Sequence, residues 1–365
     1  GGTLNVAIGN YSLDALTSGD DNTAVGHNAL GANTTGSDNT SIGFDTMKAN
    51  TTGADNVAVG VGSLIANTTA SQNTAIGRAA LYTNTTGADN VAVGRYALLA
   101  NTTGAQNTAL GSGALDANTT ANNNTALGFD ALGANTEGTQ NLAVGEESLL
   151  ANTTGGQNVA IGSESMKANT TGSNNVALGR NALKGNTTAA NNVALGMDTL
   201  VANTTGTRNL AIMKNALNAS DTEDDNLAIG YNAMTTNTAG GTYNIAVGNY
   251  ALDALTSGDY NIAIGGSAGS AINTGGDNTI VGYLAGNALT SGADNVAIGS
   301  TALYTATTVS GNTALGSNAL KLTAAADNTG IGRSALEDNT TGAGNTAVGK
   351  NALANNTTAA KNTAI

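Results

Sequence analysis

The sequence has no proline, no cysteine and no tryptophan, and it has a single histidine, His27. Without cysteine there is neither a disulfide framework nor a thiolate metal site. Without proline, every residue keeps the N–H group that a stacked strand needs for its ladder. His27 stands at a variable position, where we expect a solvated side chain, and no cysteine nucleophile accompanies it. We therefore predict that the protein is not an enzyme and holds no cofactor.

Charged side chains are also scarce. They make up 10% of the residues, with a net charge of −13. Because contacts to phosphate depend on lysine and arginine, this balance argues against a nucleic-acid partner. No apolar run approaches the ~20 residues of a membrane-spanning helix, so we expect no membrane insertion in this segment. The chain starts at Gly1 and stops inside a repeat at Ile365. We interpret residues 1–365 as a single repeat array cut from a longer fibre.

What the chain has in abundance is one pentapeptide, Asn-Thr-Ala-Val-Gly at residues 22–26. Its leading Asn recurs every 17 residues from Asn5 to Asn226. One 18-residue step then leads to Asn244, and one 16-residue step leads to Asn328, which gives 22 copies in all. A fixed period of this length is typical of proteins that stack one structural unit on the next.

The residues within each repeat, numbered from its Asn, predict two strands and two turns. Positions 2 to 4 are apolar and β-branched, as in Thr23-Ala24-Val25, and read as a strand that the glycine at position 5 ends. We predict a second short strand at positions 8 to 11, followed by a turn at the Asn-Thr-Thr-Gly segment of positions 12 to 15. A helix at the Ala-Leu part is the alternative, but it would be under eight residues long. The sequence therefore predicts an all-β chain, a parallel β-solenoid of about 22 coils.

Stacked coils would lie ~4.8 Å apart and form a rod on the order of 100 Å long. Identical side chains then fall in register, and Asn amides form hydrogen-bonded ladders along such a stack. We predict a structural ladder rather than a ligand site for the leading asparagines. The first members of this ladder are Asn22, Asn39, Asn56, Asn73, Asn90 and Asn107.

Position 3 is the strongest indication of self-association. It lies on the opposite strand face from positions 2 and 4, yet it is nearly always Ala rather than Lys, Glu or Gln. A face that collects Ala is packed against something, and we expect a second copy of the chain to cover it. In the alternative, Ala faces a thin core within one chain, and a row of Val and Ile is exposed. Such a row would itself require a partner, so both interpretations favour a homo-oligomer.

These repeats resemble the head repeats of trimeric autotransporter adhesins of the YadA type. They are similar also to the arrays of phage tail-fibre-like proteins, which carry Asn-Thr-Ala-x-Gly and Ala-Leu-x-x-Asn-Thr-Thr-Gly units. The resemblance covers essentially the whole chain. It implies a left-handed parallel β-roll, three chains around one axis, and a role as a fibre of a cell surface or a virion.

Acidic residues offer the only candidates for a cation site. Asp21, Asp38 and Asp55 occupy position 17 of successive coils, where charges ~4.8 Å apart repel by about 0.9 kcal/mol in water. A divalent cation could relieve this repulsion, although plain solvation suffices. Residues 221–225, Asp-Thr-Glu-Asp-Asp, replace a normal turn and form either a charged loop or a calcium site. We predict no metal site as our main interpretation.

Six of the nine tyrosines fall between residues 231 and 304. This stretch also contains the 18-residue step and two glycines at position 9, Gly269 and Gly286, where Ile272 and Leu289 supply bulk three residues later. Irregularity on a rigid scaffold is where recognition residues tend to lie. The binding candidates are Tyr243, Tyr250 and Tyr260, as an exposed strip that contacts a cell-surface glycan, a matrix protein or a neighbouring fibre.

The sequence as a whole predicts a structural fibre, extracellular on a cell surface or virion, that extends or carries a binding surface. One alternative is a self-assembling extracellular filament without a receptor. Another is a monomeric ice-binding solenoid, which would need flat rows of Thr. Twelve Asn-Thr-Thr sequons also match the glycosylation acceptor pattern, and turn geometry explains them equally well.

Overall fold

The computed structural model describes residues 1–365 as an all-β chain. It divides into two compact units, Gly1–Thr188 and Ala189–Ile365. Each unit contains eleven short strands, one per coil. The strands of the first unit are β1 Val6–Ile8, β2 Thr23–Val25, β3 Thr40–Ile42, β4 Val57–Val59, β5 Thr74–Ile76, β6 Val91–Val93, β7 Thr108–Leu110, β8 Thr125–Leu127, β9 Leu142–Val144, β10 Val159–Ile161 and β11 Val176–Leu178. Those of the second are β12 Val193–Leu195, β13 Leu210–Ile212, β14 Leu227–Ile229, β15 Ile245–Val247, β16 Ile262–Ile264, β17 Thr279–Val281, β18 Val296–Ile298, β19 Thr313–Leu315, β20 Thr329–Ile331, β21 Thr346–Val348 and β22 Thr363–Ala364.

Within each unit, every strand pairs in parallel with the next, and equal repeat positions lie opposite each other. In the first unit Thr23 faces Thr40 and Ala24 faces Ser41. In the second unit the 18-residue step keeps the same register, because Leu227 faces Ile245. The predicted parallel β-solenoid with a 17-residue repeat is confirmed. No helix of the structure is long and apolar enough to cross a membrane.

The predicted second strand at positions 8 to 11 is wrong, because this segment is a series of turns. Asn28 and Leu30, at positions 7 and 9, have φ of 57° and 52°. The two neighbours Ala29 and Leu30 are both completely buried, whereas consecutive strand residues would point to opposite faces. A left-handed leucine costs about 1 kcal/mol or more, and burying its side chain returns about 2 kcal/mol. Core packing therefore decides the backbone conformation here.

The core lies inside each coil, between the residues at positions 3, 8 and 9. Ala24 is completely buried within its own chain. The partner of position 3 is visible at Gly330, where an added Cβ would lie 3.3 Å from Cγ of Leu320, the position-9 residue of the preceding coil. The expectation that a second chain covers the Ala face is therefore wrong. The alternative holds: Ala faces an intrachain core, and positions 2 and 4 face outward.

Glycine at position 5 is required by both conformation and space. Gly128 has φ of +143°, and an added Cβ would lie 2.4 Å from the carbonyl oxygen of Gly145 in the next coil. That region of backbone conformation is almost exclusive to glycine. The one exception, Met213, has φ of 85° instead.

The predicted Asn ladder at position 1 is confirmed. Asn39 is completely buried, and its Nδ2 donates to Oδ1 of Asn22 at 3.1 Å and to the carbonyl of Gly53 at 2.9 Å. The backbone N of Asn39 donates to the same Asn22 oxygen. Asn39 thus joins its own strand, the preceding coil and the turn at position 15.

A second ladder, which we did not predict from the sequence, runs through position 12. Asn50 Nδ2 donates to Oδ1 of Asn33 at 3.0 Å and to the carbonyl of Gly53 at 2.9 Å. In the second unit Leu255, Ile272 and Leu289 take this position and are completely buried. The predicted shift of core filling is confirmed at Gly269, where an added Cβ would lie 2.9 Å from Cδ1 of Ile272.

Candidate functional site

The three predicted tyrosines do not form one strip. They belong to two separate pairs, the second of which is completed by Tyr231. Tyr243 and Tyr260 are about half exposed, and their rings stack with centroids 5.2 Å apart and planes 3° from parallel. Tyr250 instead meets Tyr231, edge to face, at 5.5 Å. Positions 6 and 7 carry this second pair, whereas position 17 carries the first.

Tyr243 reaches position 17 because the extra residue of the 18-residue step lies in the turn before it. Asn237 Nδ2 donates to the carbonyl of Gly241, four residues ahead, whereas Asn33 spans three residues to Gly36. Gly240 has φ of +100° and open space around it. The insertion is absorbed in this turn, which brings Tyr243 into the same column as Tyr260.

A charged pair precedes the stacked tyrosines in that column. Arg208 forms two hydrogen bonds to the carboxylate of Asp225, at 2.6 and 2.8 Å. The guanidinium holds the pKa of Asp225 below its usual value. The nearby carboxylate of Asp225 in turn raises the pKa of the Tyr243 hydroxyl. The column thus presents paired charges followed by two aromatic rings.

A larger exposed region lies in the first unit, at positions 6, 7 and 10; we name these side chains the variable face. His27 is exposed, as predicted, and its ring stacks on Phe44 with centroids 5.2 Å apart and planes 14° from parallel. Tyr11 meets His27 edge to face at 5.7 Å. An aromatic row therefore begins the variable face.

This row continues into a groove of about 350 Å³ lined by Phe44, Val61, Arg78, Tyr82 and Tyr96, among others. Tyr11, Phe44, Val61 and Tyr82 are each between 41 and 63% exposed. A volume of 350 Å³ lies at the lower end of the range for small-molecule sites. The groove is thus a concave part of the variable face.

Farther along the first unit the variable face becomes charged. Burial raises the pKa values of Asp116 and Asp130, and the neighbouring carboxylates add to the effect. Lys167 then bridges Glu147 and Glu164, and Lys184 bonds the other oxygen of Glu164. These lysines lower the pKa of Glu164 to about 2. The face therefore changes from aromatic to acidic to zwitterionic along one column of coils.

The acidic candidates for a cation site are not brought together. Asp21, Asp38 and Asp55 are exposed, and no three His, Asp or Glu side chains cluster at a distance that could hold a metal ion. Within residues 221–225, the Glu223 side chain is buried and its Oε2 accepts hydrogen bonds from Ser220 Oγ and from the N–H of Asp221. Glu223 thus replaces the missing ladder amide at position 12.

The Asn-Thr-Thr sequons belong to the second ladder. Asn33, Asn101 and Asn152 are examples of sequon asparagines that are completely buried. Their Nδ2 atoms already donate to carbonyl oxygens at 2.9 Å. A folded coil therefore does not present these amides for modification.

One signal in the sequence could have revealed the variable face. Position 7 reads Asp45, Gly62, Ala79 and Tyr96 in successive coils, so two small residues are flanked by two large ones. Reading down a column compares residues that become neighbours in space. Within a single repeat, the residues at positions 6, 7 and 10 show no pattern.

Comparison with models of known protein families finds no match, and comparison with curated protein sequences finds none either.

Proposed function

We propose that this protein is a non-enzymatic structural fibre, extracellular on a cell surface or virion, that carries a binding surface. The observation that supports this is a division of labour within the coil. The residues that repeat form the interior of the coil, where Asn22, Ala24 and Leu30 are completely buried. The residues that vary, at positions 6, 7 and 10, point outward. A scaffold with a constant interior and a variable face is suited to display.

We propose further that the protein is a homotrimer, assembled through the outward face of the strands. Ile42, Ile76, Leu110 and Leu127, all at position 4, are between 40 and 44% exposed in the first unit. Position 4 is Val, Ile or Leu in every coil of that unit, so these side chains form a continuous apolar row on it. Monomeric soluble proteins rarely expose large contiguous apolar patches, so this row favours a covered state.

Two further copies of this chain are the partners that best match the apolar row. Exposed side chains at position 4 recur once per coil, and another copy of the chain presents the same kind of side chain at the same interval over its whole row. The second unit, taken by itself, carries exposed side chains at the same position, where Ile264 and Leu315 are 41 and 42% exposed. Copies of this chain can therefore match one another coil by coil.

Light scattering on the purified protein tests the assembly. We expect a mass about three times 35.5 kDa. Replacing Leu110 and Leu127 together with lysine should lower the mass, because buried charges without partners are costly. Leu322→Lys is the matched control, since Leu322 is 37% exposed but lies at position 11. A monomeric parent protein contradicts the homotrimer, and an open series of masses supports the filament alternative.

The structure gives less support to ice binding. Thr34 Oγ1 donates to the carbonyl of Thr51 at 3.0 Å, and Thr51 Oγ1 donates to that of Thr68. The hydroxyl protons of this Thr row are therefore used to join coils. Only the second Thr of each turn, such as Thr35, remains exposed. Growth of ice in the presence of the protein should consequently be unchanged.

A further inference from the structure

The groove of the variable face owes its existence to two small residues. Position 7 carries Asp45 in one coil and Tyr96 three coils later, whereas Gly62 and Ala79 stand between them. Two successive coils therefore lack a large side chain at this position. With coils ~4.8 Å apart, the resulting depression extends roughly 10 Å along the first unit. That length fits one or two sugar rings.

Aromatic rings line the groove together with the aliphatic side chains of Val61, Ile65 and Leu99, and we call the backbone at Gly62 and Ala79 its floor. The Tyr82 ring lies beside Gly62, because an added Cβ there would be 3.4 Å from Cε2 of Tyr82. The N–H groups of Gly62 and Ala79 donate to carbonyls of the preceding coil, each at 3.0 Å. Since the floor has its N–H groups engaged, recognition must come from rings and charged side chains rather than from the backbone.

Arg78 lines the groove and Arg95 adjoins its lining residue Tyr96, so both bring positive charge to this part of a chain whose net charge is −13. Arg95 lies over the Tyr96 ring, 4.4 Å from its centroid, and neither Arg78 nor Arg95 has a carboxylate partner. The one carboxylate in the groove, Asp45, accepts a hydrogen bond from Asn28 and lies 3.8 Å from Nζ of Lys48. The arginine charges are therefore left uncompensated.

We propose that this groove binds an acidic saccharide, with the flat faces of its sugar rings on Phe44 and Tyr82 and its carboxylate on Arg78. Exposed aromatic rings offer flat apolar surfaces that suit the C–H faces of a pyranose. A guanidinium matches a carboxylate with two parallel hydrogen bonds. An acidic peptide is less favoured, because extended peptides are held mainly by backbone hydrogen bonds. This inference deepens the proposed function by naming a ligand class for the variable face.

The chain offers a matched site that lacks the positive charge. Phe129 occupies position 6, like Phe44, and the two rings are 53 and 52% exposed. Asp130 follows Phe129 in the chain, and the backbone N of Glu147 donates to the Phe129 carbonyl at 2.9 Å, so acidic residues take the place of the arginines here. An acidic sugar should therefore not bind at Phe129, although this ring is as exposed as that of Phe44.

Isothermal titration calorimetry on the full-length chain tests the proposal, with light scattering on the same sample to record its mass. The probes are oligogalacturonate, oligoglucuronate, a neutral galactose oligomer and oligoglutamate. We expect binding of at least one uronate and about tenfold weaker binding of the neutral sugar and of the peptide, since a charge-assisted hydrogen bond is lost or misplaced.

Variants locate the site. Arg78→Gln should weaken uronate binding about tenfold. Gly62→Asn should abolish it by filling the groove, and the backbone should tolerate the change because Asn28 adopts φ of 57° at the same position. Arg333→Gln, also at position 6, and Phe129→Ser are controls that should bind like the parent.

Failure of both uronates to bind overturns the proposal, as does equal binding of the neutral sugar or of oligoglutamate. Equal loss in the two controls would also overturn it. Because binding and mass are measured separately, a monomer that binds uronate refutes the homotrimer and leaves the groove standing. A trimer that binds neither uronate refutes the saccharide site and leaves the homotrimer proposal intact.

Discussion

Removing one member of the first Asn ladder should cost far more stability than its single side chain suggests. Asn90 Nδ2 donates to Asn73 Oδ1 at 3.2 Å and to the carbonyl of Gly104 at 2.9 Å. Its Oδ1 accepts from the backbone N and the Nδ2 of Asn107, at 3.0 and 3.2 Å. Asn90→Ala removes all four hydrogen bonds from a site that solvent does not reach.

The magnitude follows from which groups keep a partner. Gly104 still accepts from Asn101 Nδ2, and Asn73 Oδ1 still accepts from the backbone N of residue 90. Asn107 Nδ2 keeps the carbonyl of Ala121. The buried backbone N of Asn107 is the group that loses its acceptor, at a cost of about 1–3 kcal/mol. With the net value of the other bonds, we expect a destabilisation of roughly 4 kcal/mol.

Native-state hydrogen exchange is the appropriate assay, because a repeat array can open locally. The amide of Asn107 should lose most of its protection in Asn90→Ala. Asn122→Ala is the control, since its half-buried side chain accepts only one hydrogen bond, from the N–H of Ala105 at 2.7 Å. Unchanged protection at Asn107, or equal losses in both variants, would refute the ladder as a source of stability.

Asn90→Asp adds a pH test of the same site. A carboxylate there would face the carbonyl of Gly104, so burial and repulsion should raise its pKa in the folded state. Stability should then be greatest below the unfolded pKa of about 3.9 and fall as the pH rises through the folded pKa. A variant equally stable at pH 3 and pH 7 would contradict this.

Three further predictions concern single residues. Gly128→Val should lower the melting temperature by introducing a Cβ 2.4 Å from a carbonyl oxygen, whereas Phe129→Ser should do little; equal effects would mean that the turn is misplaced. The pKa of Glu164 should be about 2 by NMR titration. Its ion pairs with Lys167 and Lys184 therefore stabilise the fold above pH 4.5 and are lost as the pH falls towards 2. A pKa near 4.5 would exclude these ion pairs. Glu223→Gln should cost about 2 kcal/mol in urea denaturation, because an NH₂ group then faces N–H donors; the combined change Ser220→Asn and Glu223→Gly should restore the common turn and recover stability.

The sequence predicted most of the features that follow from the period itself, although not the second Asn ladder at position 12. Identical residues at equal positions must stack, so the parallel register, the position-1 ladder of Asn39 and the glycine requirement at Gly128 could be read directly. The compensation between Gly269 and Ile272 was also predictable, because bulk lost at one position reappears three residues later. The homotrimer, the fibre and the ligand stay predictions, since they concern partners that one chain does not contain.

Tertiary structure decided the features that depend on the sign of the backbone angle φ and on contacts between neighbouring coils. Positions 8 and 9 read as a strand because Ala and Leu fit one, yet burying both Ala29 and Leu30 forces Leu30 into the left-handed region. The same packing turns Asn33 inward and makes a sequon into a ladder. His27, Phe44 and Tyr82 are 17 or more residues apart along the chain, and the stacking of coils makes them neighbours on one face. The sequence alone determined which residues repeat and therefore what builds the coil; the surface depends on which varied residues the coil spacing brings together.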